Sequence, residues 1–283
     1  MTILVTGANG QLGEELQHLP ASDSANYIFT DVDALDITRL HDIEAFVEDH
    51  KVDVIINCAA YTDVEGAERD VERAEEINVE AVANLAEVAK RSGATLIHIS
   101  TDYIFDGEGS TPIREEAVAS PLSVYGRTKA MGEERIVASG CNYIIVRTSW
   151  LYSLYGKNFV KSILRLATER SELRVVNDQV GTPTYATDLA VVVKHLAEHK
   201  AGDVHEVYHF SNEGECSWYD FARAIVEASG AECKVEACSS AEYGATAKRP
   251  RYSVLDKSKI KSELGIEIPH WRESLSICLA KMR

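Results

Sequence analysis

The sequence contains no apolar run near the roughly 20 residues that a membrane helix requires. It also lacks a basic, apolar leader before its first β-branched segment, so we expect no secretory signal and a cytoplasmic location. Its six cysteines show no Cys-x-x-Cys spacing, which favours free thiols over a zinc site or a redox pair. No linker, repeat or low-complexity tract interrupts the chain, so its lobes should pack together.

Positive charge is scarce, with 29 Lys and Arg residues against 45 Asp and Glu residues and a net charge of −16. This balance disfavours nucleic-acid binding. One segment, Lys248–Arg251, nevertheless concentrates cations. Two interpretations of it stay open, an anion-binding segment and a solvated surface turn. With 283 residues and 45% hydrophobic content, the chain can bury a substantial core in one large or two smaller domains.

Three of the 17 glycines lie close together near the N-terminus. A short β-branched run leads into Gly7, Gly10 and Gly13, and an amphipathic helix follows. The spacing is Gly-x-x-Gly-x-x-Gly, in the strand, turn and helix context of a dinucleotide pyrophosphate site. A second strand ends in Asp31, at roughly the distance at which an acid binds the ribose diol.

Strands and helices alternate along the first half of the chain. We predict strands at residues 3–6, 27–30, 52–57, 95–100 and 143–148, with helices near 11–18, 39–50, 72–92 and 122–138. Such alternation predicts an α/β fold with a Rossmann-type doubly wound parallel sheet, whose ligands lie at the carboxyl ends of the strands. We assign residues 1–149 to a dinucleotide-binding domain. We assign residues 150–283 mainly to a smaller α/β substrate lobe, with a helix near 187–199 packing back on the first domain.

A tyrosine and a lysine lie four residues apart on the predicted helix at 122–138. Tyr125 and Lys129 therefore share one face, and a nearby ammonium would lower the pKa of the phenol. The pair predicts a general acid/base, although Tyr-x-x-x-Lys also occurs by chance as a surface aromatic beside a solvated lysine. We interpret His98, inside an apolar run, as a satisfied core histidine and not as a base.

These motifs together resemble the extended short-chain dehydrogenase/reductase family of nucleotide-sugar enzymes, and within it the dTDP-4-dehydrorhamnose reductases. The resemblance spans nearly the whole chain. It rests on segments 7–13, 57–62, 100–105, 124–129, 147–150, 177–184 and 249–250.

The resemblance implies reduction of the C4 ketone of dTDP-4-dehydro-L-rhamnose, the final step of dTDP-rhamnose biosynthesis. Tyr125 would donate the proton, Lys129 would hold the nicotinamide ribose and keep the phenol acidic, and Thr101 would bond the substrate oxygen. The implied substrate-binding residues are Thr101, Asp102, Trp150 and Arg249. For Trp150 a structural role at the junction between the lobes is the alternative.

The implied cofactor is NADPH or NADH. Its implied contacts are Gly7, Gly10, Gln11, Leu12, Gly13, Asp31, Asp36, Ile37, Ala60, Tyr61, Thr62, Ile99, Tyr125 and Lys129. The carboxylate of Asp31 would repel a 2′-phosphate and favour NADH, but reductases of this type can accept both cofactors, so the choice stays open.

Magnesium is possible by resemblance, because some family members form magnesium-linked dimers. Glu15 matches one ligand, but Thr187 stands where a second glutamate is expected, and residues 280–283 lack a third. We therefore expect no metal site, and either a monomer or a homodimer. Two alternative functions are a 4-epimerase or epimerase-reductase for another nucleotide sugar, and a non-catalytic, reductase-like regulatory subunit. The catalytic and substrate-loop residues are all present, which argues against the regulatory subunit.

Overall fold

The computed structural model describes residues 1–282. Its strands are β1 (Thr2–Thr6), β2 (Asn26–Phe29), β3 (Val54–Asn57), β4 (Thr95–Thr101), β5 (Asn142–Thr148), β6 (Leu151–Tyr152), β7 (Glu172–Val176), β8 (Val180–Gly181), β9 (Thr184–Tyr185), β10 (His205–His209), β11 (Cys216–Ser217) and β12 (Lys234–Cys238). Six of them form one parallel sheet in the order β10-β5-β4-β3-β1-β2.

The helices are α1 (Gln11–His18), α2 (Leu40–His50), α3 (Val64–Ala67), α4 (Val71–Glu75), α5 (Ala81–Ser92), α6 (Val124–Ser139), α7 (Phe159–Glu169), α8 (Ala186–His199), α9 (Trp218–Ser229), α10 (Ser240–Tyr243), α11 (Ser258–Leu264) and α12 (Trp271–Lys281). A 3₁₀ turn covers Asp102–Ile104. The doubly wound parallel sheet expected from the sequence is confirmed. No helix among the described residues is long and apolar enough to cross a membrane.

Side chains alternate between the two faces of the sheet, as the two-residue period of a strand requires. On one face, Ile3 and Val5 belong to a core that also contains residues of α1 and α8. On the other face, Leu4 and Ile55 belong to a core with residues of α5 and α6. Both faces of the central strands are buried, which explains why β1, β3 and the middle of β5 are mainly apolar.

The helix expected at residues 72–92 is interrupted. Residues Glu76–Glu80 form a π-helical turn between α4 and α5. Within it the Asn78 side chain accepts a hydrogen bond from the Tyr61 amide at 2.9 Å and donates to the Tyr61 carbonyl at 3.1 Å. It also donates to Thr128 Oγ1 at 3.1 Å. The wider turn thus places one amide side chain between the loop after β3 and α6, as π-bulges often do near functional sites.

Two elements from the second half of the chain lie on the main sheet. β10 pairs in parallel with β5, and α8 packs against α1. A separate core joins α7, α9 and α12 through residues such as Phe221 and Trp271. Residues 180–185 contain the short strands β8 and β9. The division of the chain into two lobes stays a prediction.

Candidate active site

The candidate site lies at the carboxyl ends of β1, β3 and β4, beside the first turns of α1 and α6. Parallel strands direct their carboxyl ends to the same edge, so residues far apart in sequence meet there. The glycine turn, the loop after β3 and the Thr101–Tyr125 pair all occupy this edge.

The three glycines of the first turn differ in what surrounds them. A Cβ on Gly7, whose φ is +66°, would lie 2.5 Å from the Ala59 amide nitrogen, and one on Gly13 would lie 2.5 Å from Ala8 Cα. These two glycines permit close packing within the protein. A Cβ on Gly10 would meet only the Gly7 carbonyl oxygen, at 3.2 Å. Apart from this one tight contact, which a shift of a few tenths of an ångström would relieve, Gly10 has space in front of the turn.

Gly10 is also the N-cap of α1, and no side chain caps this helix end. The first backbone N–H groups of α1 therefore remain available to an anion. The buried Gln11 Oε1 has no hydrogen-bond partner within residues 1–282, but as an acceptor it adds nothing to anion binding. This turn fits the pyrophosphate of a dinucleotide. Leu12, by contrast, is buried in the core, so any contact with a ligand would come from its backbone.

Asp31 lies two residues after the end of β2 and faces the glycine turn. Its carboxylate accepts hydrogen bonds from the Asn9 amide at 2.9 Å and the Val32 amide at 2.8 Å. It therefore fixes the turn as well as presenting a negative charge. Asp36 accepts from the Thr38 hydroxyl and amide, and these bonds lower its pKa.

The remaining residues implied for the cofactor surround this edge. Ile37 has its side chain in the core beside α2 and α5. Ala60, Tyr61 and Thr62 are partly or wholly accessible in the loop after β3. The Ile99 carbonyl accepts a hydrogen bond from Lys129 Nζ at 2.7 Å.

Thr101 and Tyr125, from β4 and α6, hydrogen-bond through their side chains. Burial raises the pKa of the Tyr125 phenol to about 12, the hydrogen bond to Thr101 lowers it, and the negative charge of Asp102 raises it. The expectation that Lys129 lowers this pKa is wrong in this structure. Burial outweighs the other effects, and the Lys129 amino group is held by His98 and the Ile99 carbonyl.

Lys129 is itself almost fully buried, at 1% exposure. Burial lowers the pKa of its amino group to about 8, against the opposing effect of the Glu133 carboxylate. His98 lies within the sheet at 0% exposure, as the sequence predicts for a core histidine, and burial lowers its pKa well below the usual value. The imidazole is therefore neutral.

Asp102 is 1% exposed and follows Thr101 directly. Its Oδ1 accepts from the Thr101 hydroxyl at 3.1 Å, and it also bonds the Ser253 hydroxyl. Its Oδ2 has no hydrogen-bond partner within residues 1–282. Burial raises the pKa of this carboxyl group to about 6. Asp102 thus presents an unsatisfied oxygen beside the Thr101–Tyr125 pair, where a substrate hydroxyl could satisfy it.

Arg249 reaches the same region from the C-terminal segment. It forms an ion pair with Glu65 at 2.9 Å and hydrogen-bonds Tyr103. The Tyr103 ring meets the Tyr125 ring edge-on, with centroids 5.5 Å apart. Tyr103 and Arg249 also line a cavity of about 1020 Å³. Further cationic side chains line this cavity: Arg170, Arg174, Lys248 and Arg251.

Trp150 adopts a positive φ of +48° directly after β5. Its indole stacks on Trp218 with a centroid distance of 3.6 Å and an interplanar angle of 11°. A Cβ on Gly181 would lie 2.7 Å from its ring, so protein atoms cover much of the indole. Both a substrate contact and a junction role therefore stay open for Trp150. Trp218, which lines the cavity, was not singled out from the sequence.

Glu15 does not fit a magnesium site. Its carboxylate is 4% exposed and accepts hydrogen bonds from Ser153 and Thr187, each at 2.6 Å. Across residues 1–282, no three His, Cys, Asp or Glu side chains are grouped so that they could hold a metal ion. Residues 280–282 contribute no carboxylate, and Arg283 lies outside the described residues.

Comparison with known proteins shows which family the chain belongs to. A family model described as the RmlD substrate binding domain matches residues 1–283. The chain is 42% identical over 284 residues to a dTDP-4-dehydrorhamnose reductase of Aggregatibacter actinomycetemcomitans, with 96% of each chain covered.

Two solved structures are also similar. A dTDP-4-dehydrorhamnose reductase of Clostridium acetobutylicum ATCC 824 superposes with a TM-score of 0.95 at 43% identity, covering 100% of this chain and 99% of that one. The enzyme of Bacillus anthracis strain Ames, in complex with NADP, superposes with a TM-score of 0.94 at 38% identity, covering 99% of each chain.

The glycine turn generates a paired prediction. We expect Gly10→Val to fold with a melting temperature near wild type and to lose NADPH and NADH binding, because its side chain fills the open space before α1. Gly13→Val should instead destabilise the fold by several kcal/mol, on the order of other overpacking changes. Thermal melts and fluorescence titration of the cofactor measure both. Tight cofactor binding by folded Gly10→Val would contradict the assignment of this turn.

Asp102 generates a prediction on pH. Its folded pKa of about 6 lies above the ordinary 3.8, so the folded state holds this proton more tightly, and stability falls as pH rises through this window. The cost above pH 6 is on the order of 2–3 kcal/mol. Asp102→Asn should therefore melt at a higher temperature than wild type at pH 7.5, and this advantage should shrink towards pH 4. The exposed Asp23→Asn is the control, and a pH-independent difference for Asp102→Asn would count against a buried, protonatable carboxyl group.

Proposed function

Because the chain belongs to the RmlD substrate binding domain family, we propose that it reduces the C4 ketone of dTDP-4-dehydro-β-L-rhamnose with NADPH or NADH. The product is dTDP-β-L-rhamnose, and the reaction completes dTDP-rhamnose biosynthesis. The similarity to reductases of this name over 96% of the chain supports the activity. The observation that carries it is the hydrogen-bonded Thr101–Tyr125 pair, placed beside buried Lys129 at the dinucleotide edge.

The glycine turn would hold the cofactor pyrophosphate through the open N-terminus of α1, and Asp31 would face the adenosine ribose. The loop containing Ala60, Tyr61 and Thr62 would lie along the dinucleotide. When bound, a reduced nicotinamide supplies the hydride that the ketone carbon accepts.

In catalysis, the chain's own residues position the proton donor and supply the proton. Tyr125, with a pKa raised to about 12, carries its proton at neutral pH, as a tyrosine at its ordinary pKa also would. It can therefore donate to the C4 oxygen as negative charge develops there. Thr101 would turn its single hydroxyl hydrogen, which Asp102 Oδ1 accepts in this structure, towards that oxygen. Lys129 lies one turn further along α6, at the same carboxyl edge of the sheet, and would hold the nicotinamide ribose.

The remaining site residues would hold the substrate. Asp102 offers the unsatisfied Oδ2 to a sugar hydroxyl. Arg249 and its cationic neighbours line the large cavity and would face the nucleotide diphosphate. Trp150 would contact the deoxysugar with the part of the indole that Trp218 leaves uncovered.

We also propose a cytoplasmic location and either a monomeric or a homodimeric state. All six cysteines are free thiols, which fits a reducing compartment.

The activity can be tested by following NADPH and NADH oxidation with a panel of dTDP- and UDP-linked 4-keto sugars. We expect turnover to be fastest with dTDP-4-dehydro-β-L-rhamnose. Faster turnover of another nucleotide sugar would contradict the assigned substrate, and no cofactor oxidation with any of them would contradict the reductase.

Tyr125→Phe tests the proton donor. Removing one hydroxyl should lower kcat by roughly 100- to 10,000-fold and leave cofactor affinity within a few-fold of wild type. Steady-state kinetics and a cofactor titration measure the two effects. Tyr219→Phe on α9 makes the same chemical change outside the site and should retain full activity. If Tyr125→Phe keeps activity within a few-fold, Tyr125 is not the acid.

Asp31→Asn tests the ribose contact. The substitution removes the charge but keeps an oxygen that can accept from the Asn9 or Val32 amide. We expect NADPH use to improve relative to NADH by about 1–2 kcal/mol, or roughly 5- to 30-fold in the ratio of kcat/KM values. The exposed neighbour Asp33→Asn changes the net charge equally and should leave the ratio unchanged. An unaltered ratio in Asp31→Asn would place this residue away from the ribose.

A further inference from the structure

Three polar side chains form a row across the main sheet. The register aligns Thr6 of β1 with Asn57 of β3, and Asn57 with His98 of β4. Thr6 Oγ1 donates to Asn57 Oδ1 at 2.8 Å, and Asn57 Nδ2 lies 3.1 Å from His98 Nδ1. His98 Nε2 in turn lies 3.1 Å from Lys129 Nζ. All four residues are at most 1% exposed, so no bulk water can relax the arrangement.

The orientation of the Asn57 amide follows from a backbone donor. The Ala59 amide donates to Asn57 Oδ1 at 3.1 Å, and a backbone N–H can only donate. The oxygen of the amide is therefore on the side of Thr6 and Ala59. Its NH₂ group consequently faces His98 Nδ1, and this nitrogen must accept.

An imidazole that accepts at Nδ1 carries its proton at Nε2 when it is neutral. His98 is neutral because burial and the nearby Lys129 charge both lower its pKa. Its Nε2–H therefore points at Lys129 Nζ. A lysine amine has a lone pair that accepts this hydrogen, whereas an ammonium has donors only. The network thus favours the amine form of Lys129 over the ammonium.

We propose that Asn57 fixes His98 as the Nε2–H tautomer, and that His98 is thereby a positioning residue that opposes protonation of Lys129. The role in activity rests on the proposed function, in which Lys129, as the ammonium, holds the nicotinamide ribose. Neither Asn57 nor His98 contacts the substrate in this account. They act on Lys129, by favouring its amine form over the ammonium.

Other groups around Lys129 have separate effects. Glu133 on α6 favours the ammonium, but Arg147 of β5 holds this carboxylate at 2.7 Å. Cys58, after β3, stays a neutral thiol because burial raises its pKa to about 12. Burial itself favours the amine. Burial lowers the pKa of Lys129 to about 8, against the opposing effects of Glu133 and Cys58.

The tautomer can be read directly by ¹⁵N NMR of the histidine side chains in the protein without cofactor or substrate. His98→Gln identifies the His98 signals among the nine histidines. We expect Nε2 to be protonated and Nδ1 to be unprotonated in the wild-type protein. A protonated Nδ1, or a doubly protonated ring, would overturn the proposal.

Asn57→Asp changes the tautomer with little change in shape. One carboxylate oxygen still accepts from Thr6 and Ala59, and the other now accepts from His98, so the proton moves to Nδ1. His98 Nε2 then accepts from the Lys129 ammonium. Activity that requires the ammonium is lost as pH rises through its pKa. We therefore expect the alkaline limb of the kcat/KM profile to shift upward by about one pH unit or more.

Thr6→Val is the matched control. It removes one bond to Asn57 Oδ1 but leaves the Ala59 donor, so the tautomer and the alkaline limb should both stay in place. In Asn57→Asp, a switched tautomer with an unmoved limb would overturn the proposal. A shifted alkaline limb of the kcat/KM profile, with His98 still protonated at Nε2, would also overturn it. In that case the added carboxylate charge alone would explain the shift. An Nε2–H tautomer in a wild-type protein that reduces no 4-keto sugar would contradict the proposed function and leave the tautomer assignment standing.

Discussion

Burial of the Lys129 amino group at the edge of a parallel sheet is the constraint on which the site depends. An amino group at 1% exposure must find its partners within the protein. The Ile99 carbonyl and His98 supply them, and both belong to β4. The same strand continues into Thr101, so one rigid element positions both the partners of the lysine and the hydroxyl that bonds Tyr125. Tyr125 and Lys129 on α6 are thereby fixed against the sheet.

The two ends of the site are built differently. The dinucleotide edge consists mainly of backbone, with Gly7 packed on the loop after β3 and the open turn at Gly10. The proposed substrate side consists of side chains from distant segments, which meet around Tyr103 and line the cationic cavity. A backbone site suits a cofactor shared by many enzymes, whereas side chains from variable loops can select one sugar nucleotide.

Local patterns in the sequence predicted much of this structure. The doubly wound sheet followed from alternating apolar runs, and the Gly7 to Gly13 spacing marked the first turn because strand, turn and helix are contiguous there. The interruption at residues 76–80 could not be read in advance, since it depends on Asn78 bonding a loop 17 residues away in sequence and a helix beyond it. The pKa of Tyr125 was misjudged for a related reason. Four-residue spacing places Lys129 on the same face, but only the tertiary structure shows that its amino group points to His98 and that burial dominates. The stacking of Trp218 on Trp150 was likewise hidden, because it joins two elements that are 68 residues apart.

Transfer of an isotopic label tests the reductase assignment most directly. The enzyme would be given dTDP-4-dehydro-β-L-rhamnose and nicotinamide cofactor deuterated at the transferable C4 position, and the product would be examined by NMR. The account predicts deuterium at C4 of dTDP-β-L-rhamnose, with one equivalent of cofactor oxidised for each sugar reduced. A sugar epimerised without net oxidation of the cofactor, or deuterium absent from C4, would contradict it.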